Sequence, residues 1–162
     1  MVELRSDVYA RTQQRSRWLF GDLVGDHRLQ ECPIALRNPY AFYLGHVAAF
    51  HDLHEIQLPG AETFRADFER GMDPDVDDTT SCHWHSTVSQ YPPPATLKTY
   101  EDTIFEHLRE RWLARREHTA AALMCQEHTH MHHETLLYMI AEDRRTNAAS
   151  HELAAEPGPR AE

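Results

Sequence analysis

Apolar residues recur at helical spacing along most of the chain, and four segments carry the pattern. In the first, roughly Glu3 to Val24, the residues Tyr9, Trp18, Leu19, Leu23 and Val24 form most of one apolar side, and Gly25 ends the helix. The stretch "ECPIALRNP" reads as a connector because Pro33 and Pro39 break periodicity. A second helix starts at Pro39, with Asn38 as its N-cap, and runs to about Gln57 before Pro59-Gly60 stops it. Ala61 to Arg70 adds a further turn or two. The third helix begins near Thr96, with Tyr100, Ile104, Leu108 and Trp112 one turn apart, and the fourth covers about Glu117 to Arg144. No Gly or Pro separates these last two, so their boundary falls near Arg115.

Between the second and third main helices lies "GMDPDVDDTTSCHWHSTVSQYPPPA", residues 71–95, which has little periodicity. Its acidic residues, the Cys82-His83-Trp84-His85 group and three consecutive prolines mark a long loop, and long loops in small domains are often functional. The expected fold is therefore all-α: a four-helix bundle over residues 1–145, followed by a polar, disordered tail over 146–162. The chain has 162 residues, enough for one such core.

The formal charge of −10 argues against nucleic acid, since no basic stripe is present to displace counterions from phosphates. The N-terminus has no continuous apolar region of the signal-peptide kind. No apolar run is long enough to span a bilayer. Three widely spaced cysteines (Cys32, Cys82, Cys125) do not make a disulfide framework, which points to a reducing, cytoplasmic setting.

Histidine changes this picture. There are thirteen, and "CQEHTHMHHETLLYMI" puts four of them within six residues. On a helix, the face of His128 also holds Ala121, Met124, Cys125, His132, Thr135, Leu136 and Met139, so His128 and His132 are expected to project from the apolar stripe. His130 falls on the polar side with Gln126, Glu127 and Glu134, and His133 lies at the margin. In "NPYAFYLGHVAAFHDLHE", His46 shares a face with Phe42, Phe50, Tyr43, Ala49 and Leu53. His51 is rotated away from that face, and with Glu55 it reads as solvated. A lone inward histidine is most simply a satisfied core residue. Three of them, on two helices expected to meet, suit a cation instead, because helix bundles build metal sites from facing side chains. Neutral imidazoles accept zinc, copper, iron or nickel and leave positions open. Occupancy of such a site should fall as pH drops toward the free histidine value of ~6.5. Cys125, one turn before His128, reads as a buried bystander.

At these residues the chain resembles a known group. "NPYAFYLGHVAAF" and "EHTHMHHETLLYMI" are similar to the two metal-ligand segments of the DinB-like N-terminal domain of ergothioneine-, ovothiol- and selenoneine-type sulfoxide synthases. "DPDVDDTTSCHWHS" is similar to an acidic connector found in some members, and the likeness covers about residues 1–145. The resemblance implies a non-haem iron(II) centre held by His46, His128 and His132. It implies an oxidoreductase activity in which iron activates dioxygen to form a C–S (or C–Se) bond on the imidazole of a histidine-derived substrate, with a small-molecule thiol as partner. Two positions depart from the family pattern: Thr129 stands where the family has Glu, and His133 where it has another polar residue. The family's full-length enzymes continue into a lectin-like, formylglycine-generating-enzyme-like domain that supplies the catalytic tyrosine. The chain is thus expected to need such a domain, on the same polypeptide or in trans, and no catalytic residue is assigned within it. The competing expectations are a stand-alone DinB-like protein using zinc or another divalent metal as a thiol-dependent transferase, and a non-catalytic metal-binding bundle.

Overall fold

The computed structural model describes residues 8–34, 37–63, 68, 91–115 and 119–155, and all regular structure among them is helical. The acidic loop with Cys82, His83, Trp84 and His85, and residues 156–162, lie outside the described residues. Helix α1 (Val8–Arg17) continues without a break into a wider π-helical stretch, Trp18–Val24. Gly25, at φ 80°, closes it by donating its N–H to the Phe20 carbonyl at 3.1 Å. A left-handed φ is the conformation that Gly adopts without steric cost. A short 3-10 turn, Asp26–Arg28, leads to the connector and then to α2 (Tyr40–His51), which also widens into a π-helical stretch, Asp52–Ile56. Gln57 ends it in the left-handed region, where its N–H bonds the Asp52 carbonyl and the Asp52 carboxylate accepts the Leu58 N–H at 2.7 Å. Helix α3 is Pro94–Arg115 and α4 is Ala120–Ala155. Thr119 caps α4 by accepting the Ala122 N–H at 3.1 Å.

The four-helix expectation is met, with one correction at the C-terminal end. Helix α4 runs on to Ala155, ten residues past the boundary at 145, so the expected disordered tail is helical over 146–155. The reason is local: "TNAASHELAA" lacks an apolar stripe, but its alanines, Leu and Glu are strong helix formers and nothing before Pro157 breaks the turn.

Helix α2 sits at the centre. Every residue from Tyr40 to Ala49 is buried, so the helix is covered all round, and it packs against both α3 and α4. Tyr40, Leu44, Leu97, Ile104, Phe105, Leu108, Leu136 and Met139 form the fully buried apolar core with Leu19, Phe20 and Leu29. Helix α1 joins through a different chemistry. Its buried face is Tyr9, Thr12, Gln13 and Ser16, and Trp18 is largely exposed. All four make side-chain hydrogen bonds to other helical segments: Tyr9 to Glu55, Thr12 to Gln126, Gln13 to Asp102 and Ser16 to His133. Among the described residues, no helix is long and apolar enough to cross a membrane.

A candidate metal centre between the second and fourth helices

The crossing of α2 and α4 brings together His46, His128 and His132. Their Nε2 atoms form a near-equilateral triangle, with His46–His128 3.2 Å, His46–His132 2.9 Å and His128–His132 3.1 Å. His46 is buried, and the other two are partly exposed. Each ring is held by its surroundings. Phe42 stacks on His46 with centroids 5.0 Å apart, Phe50 stacks on His128 at 3.7 Å, and Tyr43 leans on His132 at 5.6 Å. The Nδ1 of His46 lies 3.3 Å from the Phe68 carbonyl oxygen. A carbonyl only accepts, so the proton of neutral His46 sits on Nδ1 and the Nε2 lone pair faces the other two rings.

Three ring nitrogens this close either share ring protons in N–H···N hydrogen bonds or converge on a cation. Burial, first, and the neighbouring His132 and His128 together hold His46 well below its ordinary pKa. Burial pushes His128 down to about 3, with His132 adding to it, and His132 down to about 4, with Arg37 adding to it. All three are therefore neutral at pH 7, the form that binds metal. A first-row cation with metal–nitrogen bonds of about 2.1 Å and near-right angles spaces neighbouring donors about 3.0 Å apart. The triangle matches that spacing. The residues present fit a three-histidine transition-metal site that leaves one side of the ion free.

A second group offers metal-ligating atoms. His51, Glu55 and Cys125 lie within 4.8 Å of one another. Here the atoms are committed to each other. His51 Nδ1 is 2.6 Å from Glu55 Oε1, a hydrogen-bond separation shorter than two donors on one ion adopt. Tyr9 donates to Glu55 Oε2 at 3.2 Å, and burial, with the Glu55 charge adding to it, pushes the Cys125 thiol strongly up. This is a buried hydrogen-bonded cluster behind the triad.

The structure brings together the three histidines that helical geometry selects and corrects their surroundings. The buried face of α4 is centred on Ala122, Cys125, Gln126, Thr129, His133, Leu136 and Ile140, so His128 and His132 stand at its edge and Met124 is exposed. His133 is not marginal. It is buried and 2.8 Å from the Ser16 hydroxyl, while burial pushes its pKa to about 3. His51 and Glu55 are not a solvated pair, since the side chains are 0% and 6% exposed. Reading polar residues as outward-facing missed both. The signal that could have found them is polar residues at helical spacing on α1 (Thr12, Gln13, Ser16) matching those on α4 (Gln126, Thr129, His133). Cys125 is buried, as expected.

No family model matches the chain, and no solved structure matches it. Two curated proteins do. The chain is 34% identical over 142 residues to "Ergothioneine biosynthesis protein 1" of Schizosaccharomyces pombe, and 36% identical over 140 residues to the protein of the same name from Neurospora crassa. These alignments cover 79% and 80% of this chain but 18% and 16% of the relatives, so the chain spans less than a fifth of their length.

Proposed function

We propose that this chain is the iron-binding helical domain, of DinB-like type, of an oxygen-dependent enzyme. That enzyme would join the sulfur (or selenium) of a small-molecule thiol or its selenium analogue to the imidazole of a histidine derivative, working with a lectin-like substrate domain. The observation that carries the reading is the meeting of three imidazole Nε2 atoms within 3.2 Å of one another, contributed by two helices. Similarity to two proteins named for ergothioneine biosynthesis supports the choice of chemistry.

Iron(II) bound there would supply a Lewis-acidic, redox-active centre for dioxygen and a thiol. The chain's own residues perform the rest. His46, His128 and His132 present neutral donors. The Phe68 carbonyl fixes the His46 tautomer, and the Phe42 and Phe50 rings cover one face of His46 and of His128. The partly exposed edges of His128 and His132 leave the approach for substrate, whose orientation is assigned to the partner domain. Orientation is worth orders of magnitude in rate, so the chain by itself should not turn over. Three neutral imidazoles also suit zinc, and a zinc-loaded thiol-dependent transferase is the competing reading.

The test is anaerobic equilibrium dialysis against iron(II) and zinc(II), with nitric oxide as a dioxygen surrogate read by electron paramagnetic resonance. Aerobic incubation with a histidine betaine and a thiol, followed by mass spectrometry, completes it. The expected result is one iron per chain, a nitrosyl signal, and coupled product only when a lectin-like domain is added. Failure to hold stoichiometric iron, or transferase activity with zinc alone, overturns the iron assignment. Multiple turnover by the isolated chain overturns the need for a partner.

A further inference from the structure

Helix α4 has two candidate inner faces. Leu123, Met124, Met131, Leu137 and Tyr138 are 42–50% exposed, and they are as apolar as the residues that face the core. Hydrophobic burial alone therefore discriminates weakly between rotations of this helix about its axis. A rotation by one residue, about 100°, would carry His128 and His132 away from His46.

The buried face that α4 does present is polar at Gln126, Thr129 and His133, positions i, i+3 and i+7 of one stripe. Each is met by a directional hydrogen bond from another helix: Thr12 to Gln126 at 2.9 Å, His51 to Thr129 at 2.9 Å and Ser16 to His133 at 2.8 Å. The middle one stands apart because of where it lies. Thr129 is the residue after His128 and three before His132, while His51 is on the same helix as His46, five residues further along. The two helices that supply the triad are thus fastened a second time, beside it.

Proton accounting fixes the direction of that bond. The Glu55 carboxylate only accepts, so in the neutral ring the His51 proton sits on Nδ1, and Nε2 accepts from the Thr129 hydroxyl, whose oxygen also lies 2.9 Å from the Cys125 carbonyl. The other ring nitrogen of His51 bonds Glu55 at 2.6 Å, and Tyr9 holds the second Glu55 oxygen. Both nitrogens of a fully buried ring are satisfied. Buried polar contacts of this kind specify register because any slip leaves them unpaired.

We propose that His51, oriented by Glu55 and bonded to Thr129, is the positioning residue of the histidine triad: it sets the rotation of α4 so that His128 and His132, and not His130 and His133, face His46. The inference rests on the triad being the metal site proposed above, but its primary readout needs no metal. That readout is the set of ring-to-ring nuclear Overhauser contacts from His46 to His128 and His132 in isotope-labelled, metal-free protein. Three variants are compared. Thr129→Val removes the hydroxyl, the double variant His51→Phe/Thr129→Val removes both members of the bond and leaves Glu55 its Tyr9 partner, and Thr129→Ser keeps the hydroxyl. The expected result is helical, cooperatively unfolding protein in which the double variant loses the His46 contacts. Its cobalt(II) affinity should fall at least about tenfold, as loss of a supporting contact behind a metal site typically does. Its cobalt(II) absorption spectrum should also change, while Thr129→Ser restores contacts, affinity and spectrum. A double variant with wild-type contacts would show that apolar packing sets the rotation and would overturn the proposal. A wild-type chain that shows the contacts yet binds no metal would sink the metal reading and leave the positioning result standing.

Discussion

Gly45 lies directly beneath the Phe68 ring: a Cβ at this position would stand 2.2 Å from Phe68 Cε1 and 2.3 Å from Cζ. Phe68 is buried, and its carbonyl fixes the ring of His46, the next residue along from Gly45. The glycine is thus needed for close approach, since its φ is not in the left-handed region. Gly45→Ala must push Phe68 aside. Overpacking a core in this way costs about 1–3 kcal/mol, so the urea midpoint should fall and calorimetric metal affinity should weaken with it. Unchanged metal affinity would mean that the Phe68 carbonyl does not orient His46.

Alanine at His46, His128 or His132 should each abolish stoichiometric metal binding, because two imidazoles seldom hold what three do. His130→Ala should leave binding nearly intact. His133→Ala should also keep the metal but lower stability, by about 0.5–1.5 kcal/mol, because the buried Ser16 hydroxyl loses one of its two partners, His133 and Glu101. Elemental analysis and denaturant unfolding of the five variants separate these outcomes. Full occupancy in His128→Ala would refute the ligand set.

The acid limit follows from burial. The free histidine value of ~6.5 predicts metal loss on approaching mild acid. Burial, however, holds His128 at about 3 and His132 at about 4. Because these folded-state values lie below the unfolded one, their stability contribution is complete above 6.5 and is lost as pH falls through 4 toward 3. Half-occupancy of the metal should therefore come below pH 6.5 in a dialysis series. Release centred at 6.5 would show that the rings are as accessible to protons as free histidine.

Glu101 produces the opposite slope. It is 2% exposed and bonded to Ser16, and burial pushes its pKa up to about 8. A raised carboxyl pKa contributes stability that is full below the unfolded value of about 4.5 and is lost as pH rises through 8. Glu101→Gln should remove this loss. Its melting temperature relative to the parent should rise by several degrees between pH 6 and pH 9, on the order of the 2–4 °C that accompanies each 1 kcal/mol in a chain of this size. Parallel melting curves across that range would place Glu101 in contact with solvent.

Sequence reasoning went far on this chain where its signal was either apolar periodicity or a residue type with one chemical use. Tyr100, Ile104 and Leu108 are buried on α3 as their spacing requires, and Trp112 packs partly buried against the same core. Pro39 marks the start of α2 to within a residue, although it and not Asn38 is the N-cap and no side chain caps the helix, and Gly25 marks the end of the first helical stretch. His46, His128 and His132 could be picked out because two lie at i and i+4 and the third is surrounded by aromatics. The helices and the choice of the three candidate histidines are matters of local spacing, and local spacing is written in the sequence.

What only the tertiary structure decided is how polar residues are spent. Thr12, Ser16, His51, Glu55, Glu101, Thr129 and His133 look like surface in the sequence, because an isolated polar side chain gains more from water than from burial. That balance reverses only when a partner from a distant segment is already in place, as Ser16 is for His133 across 117 positions of sequence. No residue carries a mark of its partner. The same holds for the rotation of α4: its sequence carries two apolar stripes, and the hydrogen bonds proposed to choose between them exist only once α1, α2 and α4 have met.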